Sequence, residues 1–315
     1  MIRTWRLDDT RQTLVLGSHR DRLAEVIYWG PRLPAGEDLE TLYRAHAIDV
    51  TGGMLDANPE LSLCPEATRS FPGQPGLILR SANGAPILPK FCLTKAVEAE
   101  NALTLVYRDE NADLTYTARF SLNPETHIIE ADARIDAATP VHLHWLAAPV
   151  FPAPQQSDDM IDFAGRWCGE FQMNRTAWSA GIRYRENRTG RTGHEHFPGL
   201  IVPCRGATNA TGQAYGFHYG WSGGHRMVAE ELPDGRRQVQ FGHATRVELT
   251  PQTHFETATL FAVFSDDGIN GCAVAFQRHL RDQIVNWPQP DRPRPVHYNC
   301  WEAVYFDHNL PKLKD

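Results

Sequence analysis

The chain has 315 residues, 42% of them hydrophobic and 22% charged, with a formal net charge of −7 and a pI near 6.0. That balance is ordinary for a globular chain with a sizeable core and excludes intrinsic disorder. The acidic charge excludes a general nucleic-acid binder or a binder of anionic membranes, since both need a positive field.

The length exceeds the usual span of roughly 100–200 residues per domain, which one large all-β domain with a further piece accommodates. Cysteines stand at 64, 92, 168, 204, 272 and 300 without a C-x-x-C pair. They lack the paired framework of a small secreted domain. The first residues show no basic stretch followed by an apolar run, as a secretory signal would, and no apolar run reaches the roughly 18 residues of a membrane helix. The expected compartment is the cytoplasm.

In chain order, residues 13–17 and 23–30 are short β-branched and aromatic runs closed by glycine, read as strands. Between 30 and 76 proline, glycine and acidic residues dominate, predicting a long surface excursion. Within it Asp56 precedes Asn58 and Pro59, a pattern that turn chemistry alone explains. Runs at 77–80, 103–107, 114–120, 128–135 and 141–146 follow, with Asn, Asp, Gly and Pro between them. Spacings of roughly 8–14 residues are those of a sandwich, so the fold class is mainly β and antiparallel. A self-similar period of about 20–50 residues, as in a propeller or solenoid, is absent. His142 and His144 lie on one strand face. Without cysteine or carboxylate at metal-ligand spacing, they are expected to hydrogen-bond and not to hold a metal.

Gly165-Arg166-Trp167-Cys168-Gly169-Glu170 and the arginine- and glycine-rich stretch 186–199 come next. Trp167 reads on its own as a sandwich-core tryptophan. Arg183, Arg185, Arg188 and Arg191, with Glu186 and Glu195 nearby, read as a hydrated ion-pair network, since no aromatics interleave at base-stacking spacing. His194 and His196 repeat the paired pattern, again as structure. Residues 238–242 and 257–264 are strands. Asp266-Asp267-Gly268 then turns into a helix over about 271–284, with Asn270 able to cap it and Ala273, Phe276 and Leu280 on one face. A proline-rich linker, 286–295, leads to strand-like residues ending in Asn299-Cys300-Trp301-Glu302. Asn309 is a candidate N-cap with Pro311 in the first turn. A strand followed by an opening helix looks like the first unit of a β/α barrel.

The run Arg294-Pro295-Val296-His297-Tyr298-Asn299-Cys300-Trp301-Glu302-Ala303-Val304-Tyr305-Phe306-Asp307 resembles the first barrel strand of the glycoside hydrolase family 36 α-galactosidases, RPV or RPI and then N-x-W-E-A-x-Y-F-D. Residues 165–170 resemble that family's G-x-W-x-x-E, and 186–198 its segment ending S-S-H-x-x-N-P, with Gly193 for the second serine and Phe197 for the asparagine. Residues 214–224 resemble Y-G-F-x-x-x-x-S-G-N with Gly224 for asparagine, and 265–271 resemble S-D-x-G-x-N-G. At 68–75 the acidic position of G-x-x-D-F-R-x-P is lost.

The resemblance implies a galactose mutarotase-like β-supersandwich over 1–285, a linker over 286–295, and over 296–315 the first strand and helix start of a truncated (β/α)8 barrel. It implies substrate-binding roles for Asp56, on a loop that reaches a neighbouring subunit's pocket, for Trp167 beside the sugar, and for Trp301 in the pocket wall. The family's catalytic aspartates stand in K-x-D-x-N and a downstream S-D. Neither motif follows Trp301, so no catalytic residue is expected in this chain. Retaining hydrolysis needs two such carboxylates roughly 5–5.5 Å apart. Glu302 is expected to be structural. The implied activity is retaining hydrolysis of terminal α-D-galactose from raffinose- or melibiose-type oligosaccharides, without cofactor or metal, by a homo-oligomer. Alternatives are a sister activity such as α-N-acetylgalactosaminidase or galactosyl transfer to sucrose, and a free-standing carbohydrate-binding or oligomerisation module.

Overall fold

The computed structural model describes residues 1–47, 58–244 and 250–314. The chain opens with β1 (Ile2–Asp8), β2 (Gln12–His19), β3 (Glu25–Pro31) and α1 (Leu39–His46). Next come β4 (Leu77–Ser81), β5 (Pro86–Ile87), β6 (Cys92–Ala99), β7 (Ala102–Asp109), β8 (Leu114–Asn123), β9 (Ile128–Leu146) and β10 (Phe151–Ala153). Then β11 (Asp159–Arg166), β12 (Gly169–Ala177), β13 (Gly181–Asn187), β14 (His196–Pro203), β15 (Ala214–Tyr219), β16 (His225–Glu231), β17 (Arg237–His243), β18 (Gln252–Glu256) and β19 (Leu260–Ser265) follow. Helices α2 (Gly268–His279), α3 (Trp301–Val304) and α4 (Leu310–Lys314) close the sequence of elements.

Among the described residues these strands form three sheets. The largest has twelve strands on a main path β12-β11-β14-β15-β19-β9-β8-β7-β6, with β4, β5 and β18 alongside; a four-stranded sheet runs β10-β17-β16-β13, and a three-stranded one β1-β2-β3. The sandwich follows from the period of two in the sequence. In β8, Leu114, Tyr116, Ala118, Phe120 and Leu122 are buried and their alternates are not, so one face of the sheet is dry and the other wet.

The sheets meet on one aromatic cluster. Trp29 of β3 lies 5.1 Å from Phe151 of β10, 4.9 Å from Tyr215 and 5.6 Å from Phe217 of β15, ring centre to ring centre. One residue therefore contacts all three sheets, and its indole N–H donates to Gln12 Oε1 at 2.9 Å. These tilted and edge-on contacts are the arrangements that ring quadrupoles favour.

Several elements differ from the sequence-based expectation. The runs at 128–135 and 141–146 are one strand, β9, because its first half pairs with β8 and its second with β4. The 30–76 excursion contains α1, which Asp38 caps by accepting from the Glu40 and Thr41 amides at 3.1 Å. Helix α2 begins at Gly268, and a π turn over Leu280–Ile284 completes it. Asn270 lies inside that helix and not at its cap. Backbone carbonyls of the 208–212 loop satisfy its first amides, with Gly268 donating to Gly212, Ile269 to Thr208 and Asn270 to Asn209, which leaves no vacancy for a side-chain cap.

The largest correction concerns the end of the chain. Residues 285–300 carry neither strand nor helix, and Trp301–Val304 is a helical turn instead of the end of a strand. A lone strand cannot satisfy its own backbone donors and acceptors, and no sheet offers this segment a neighbour among the described residues. It therefore does not join the sandwich as an ordinary antiparallel member. Asn309 does cap α4, its Oδ1 accepting from the Lys312 amide at 3.1 Å.

Candidate functional site

Trp167 stands at the tip of the β11–β12 hairpin and is 77% exposed, which removes the core reading. Local geometry holds the tip. Arg166 pairs with Gly169 across it, Cys168 has a left-handed φ of 58°, and the Cys168 amide donates to Glu170 Oε1 at 3.1 Å. Backbone amides around the Glu170 carboxylate hold it below its ordinary range. Gly165 has no room for a side chain, because a Cβ there would run into the Gly169 carbonyl and the Glu170 backbone. The hairpin thus presents a bare indole on a stiff backbone, suited to stacking on the C–H face of a sugar.

The arginines around that hairpin are committed to carboxylates. Arg183 donates to Asp162 Oδ2 at 2.8 Å and Arg185 to Asp162 Oδ1 at 3.1 Å. Glu186 receives Arg188 at 2.5 Å and Arg226 at 2.7 Å. The ion-pair reading of the cluster holds for these three arginines of β13 and the residue after it. Asp162 of β11, bound by two guanidinium groups of β13, braces the twelve-stranded sheet against the four-stranded one, whereas Glu186 gathers its two guanidinium groups along the four-stranded sheet itself. Asp267 likewise pairs with Arg11 at 2.9 Å, which ties the start of α2 to the β1–β2 turn.

Trp301 opens the helical turn α3, is 48% exposed, and meets Tyr305 and Phe306 edge-on at 5.3 and 5.0 Å. No ring contact joins Trp301 to Trp167 among the described residues. Asp56 lies outside the described residues. Glu302 sits on the same helical turn as Trp301. No group of three or more His, Cys, Asp or Glu suited to a metal occurs among the described residues.

One chemically unusual residue escaped the sequence reading. Glu25 is a carboxylate inside the apolar run Leu23-Ala24-Glu25-Val26-Ile27, and it is buried. Its Oε2 accepts from the Leu61 amide at 3.1 Å and lies 3.9 Å from His46 Nε2. Burial, reinforced by the neighbouring Glu60 charge, pushes its pKa up to about 7. An acid placed mid-strand among aliphatic residues was the available signal.

Fold and motifs converge on the comparisons with known proteins. Residues 22–249 match the glycosyl hydrolase family 36 N-terminal domain, and residues 254–315 match Melibiase. The chain belongs to glycosyl hydrolase family 36. It is 34% identical over 318 residues to an α-galactosidase of Escherichia coli, covering 96% of this chain and 42% of that relative. Against α-galactosidase AgaA of Geobacillus stearothermophilus the identity is 28% over 250 residues, covering 78% and 33%. The crystal structure of AgaA with 1-deoxygalactonojirimycin superposes with a TM-score of 0.84 at 22% identity, covering 99% of this chain and 47% of that one. That likeness is one of fold; the family match over 22–249 is what marks the sandwich as the N-terminal domain of this family. The chain spans less than half the length of these relatives. Other AgaA structures hold stachyose and raffinose.

Proposed function

We propose that this chain forms the N-terminal, non-catalytic part of a retaining α-galactosidase that releases terminal α-D-galactose from raffinose- or melibiose-type oligosaccharides. The observation that carries the reading is continuity: one chain passes from a family 36 N-terminal match into a Melibiase match at 254–315, and N-x-W-E-A-x-Y-F-D lies within the second. In this reading residues 1–285 are the sandwich, 286–295 the linker and 296–315 the opening of the catalytic barrel, whose first strand forms once neighbouring strands are there to pair with it. Trp167 and Trp301 supply aromatic walls for the sugar. Asp56, from its place in the sequence alone, supplies a polar contact in a homo-oligomer. The acids come from elsewhere in the barrel, and no cofactor takes part. Six cysteines without a disulfide partner support a cytoplasmic setting.

The test is turnover of a chromogenic α-galactoside by this chain alone and by the chain joined to the remaining, C-terminal part of the Escherichia coli relative. The expected result is none for the former and hydrolysis with retention for the latter. Hydrolysis by the 315-residue chain alone, or a well-folded fusion that hydrolyses α-N-acetylgalactosaminides in preference, would overturn the assignment.

A further inference from the structure

We propose that Glu25 is a pH-sensitive fastener that holds two separate stretches, helix α1 and the Glu60–Leu63 segment, against strand β3. The geometry is unusual in joining both to one carboxyl group. On one side the Leu61 amide donates to Glu25 Oε2, Glu25 bridges Ser62 in antiparallel fashion, and the Leu63 amide donates to the Ala24 carbonyl at 2.8 Å. On the other side His46, the last residue of α1, brings Nε2 to 3.9 Å from the same Oε2. Helix α1 has no buried residue of its own, so little apolar area holds it down. What it does have is Tyr43, whose ring covers Gly17 of β2 so closely that a Cβ there would clash with it, and the His46 contact.

The charges facing Glu25 come from every element packed on it. Glu60 adds a like charge, while Arg22, itself paired with Glu60, and Arg236 of the β16–β17 turn add opposite ones. Tyr43 is held in its neutral form, its pKa raised by burial first and by the Glu25 charge second. His46 is pushed below its ordinary range, by burial first and then by Arg236. Glu25, by contrast, is raised to about 7. Below neutrality a protonated Glu25 places a neutral carboxylic acid beside the imidazole, so the site buries no carboxylate charge. Above neutrality the carboxylate must stay ionised in a buried site beside Glu60.

The sign follows from linkage. A carboxyl whose pKa is raised in the docked state binds its proton more tightly there, so docking is favoured below the ordinary carboxylate range and weakens as pH rises toward 7 and the group ionises. With an ordinary value near 4.5 in the undocked state, the docked-to-undocked ratio falls about tenfold between pH 6 and pH 8.

Amide hydrogen exchange of the full 315-residue chain, corrected for intrinsic rates, tests this at residues 39–46 and 60–63. Protection there is expected to drop about tenfold from pH 6 to pH 8, and to stay at its pH 6 level at both pH values in Glu25→Gln. Equal corrected protection in the unmodified chain, or persistence of the drop in the variant, would overturn the proposal. A titration of the Glu25 side-chain carboxyl by carbon NMR needs no variant: a midpoint near neutrality supports the proposal, and one in the ordinary carboxylate range overturns it. Neither readout depends on galactosidase activity, so their outcome is separate from that of the functional assignment.

Discussion

Asp162 and Arg183 form an ion pair at 2.8 Å that crosses from the twelve-stranded sheet to the four-stranded one. Arg185 reaches the other oxygen of the same carboxylate, and Asn174 of β12 donates to it as well at 3.2 Å. The carboxylate is buried, with 3% of its side chain exposed, while the two arginines retain 28% and 27%. Removing the acid leaves two half-shielded cations facing each other. Breaking a fully buried pair costs about 3–5 kcal/mol, and solvent screening of the arginines reduces this. Asp162→Ala is therefore expected to lower stability by about 2 kcal/mol in urea denaturation, and the loss should shrink in high salt.

At the junction of the three sheets, Trp29 and Gln12 give a second test. Trp29→Phe keeps a ring in the cluster but leaves the Gln12 carbonyl oxygen buried without its indole donor. An unsatisfied buried acceptor costs about 1–3 kcal/mol, and the smaller ring adds a cavity term. The expected loss is about 2–4 kcal/mol, measured as a lower urea midpoint with an unchanged slope.

These two sites mark what could and could not be read from the residues. Strand periodicity located the sandwich, because alternation in 103–107 and 114–120 is set by burial on one face and survives without knowledge of neighbours. The merging of 128–135 with 141–146 depended on which strand each half would pair with, a long-range fact that local spacing does not carry. Helix α1 was hidden in a stretch rich in turn-formers, although Asp38 capping its first amides was a legible start signal. The expectation at 296–301 failed for the opposite reason, since strand propensity was present but a pairing partner was not. For Trp167 the motif pointed to exposure and the composition to burial, and the hairpin geometry decided for exposure. Glu25 was passed over because its neighbours looked like an ordinary apolar strand.

Acid should act on the sandwich through two histidines packed among its strands. His218 packs among the rings of Phe197, Phe261 and Phe276, and burial alone pushes its pKa down to about 4; His225, fully buried at the start of β16, is brought to about 4 mainly by burial. A histidine with a lowered folded value is neutral in the fold and takes up protons more readily once unfolded. Its contribution is complete above the ordinary value near 6.5 and is lost as pH falls toward 4. The melting temperature is expected to drop across that window. His218→Phe should flatten part of the drop, an outcome that thermal scans at pH 4.5, 5.5 and 7 would check. Glu25 acts with the opposite sign over about the same range, so Glu25→Gln should make the acid-side fall steeper by removing an opposing contribution.

The last prediction separates stability from recognition at Trp167. Because the indole is mostly in solvent and packs on no ring among the described residues, Trp167→Ala removes no core contact, and surface changes of that kind stay within about 0.5 kcal/mol. The urea midpoint should not move. If the exposed indole stacks on substrate, the complete enzyme carrying the same change should show a raised KM for raffinose, with the loss falling mainly on binding, since an aromatic platform holds ground state and transition state alike. Stacking of a sugar face on an aromatic ring is of the order of 0.5–1.5 kcal/mol by analogy with other ring contacts, which corresponds to about a two- to thirteenfold rise. Trp167→Phe should recover part of it. A kcat/KM indistinguishable from the unmodified enzyme would remove Trp167 from the sugar site, and a large fall in the urea midpoint would show that the hairpin tip is structural after all.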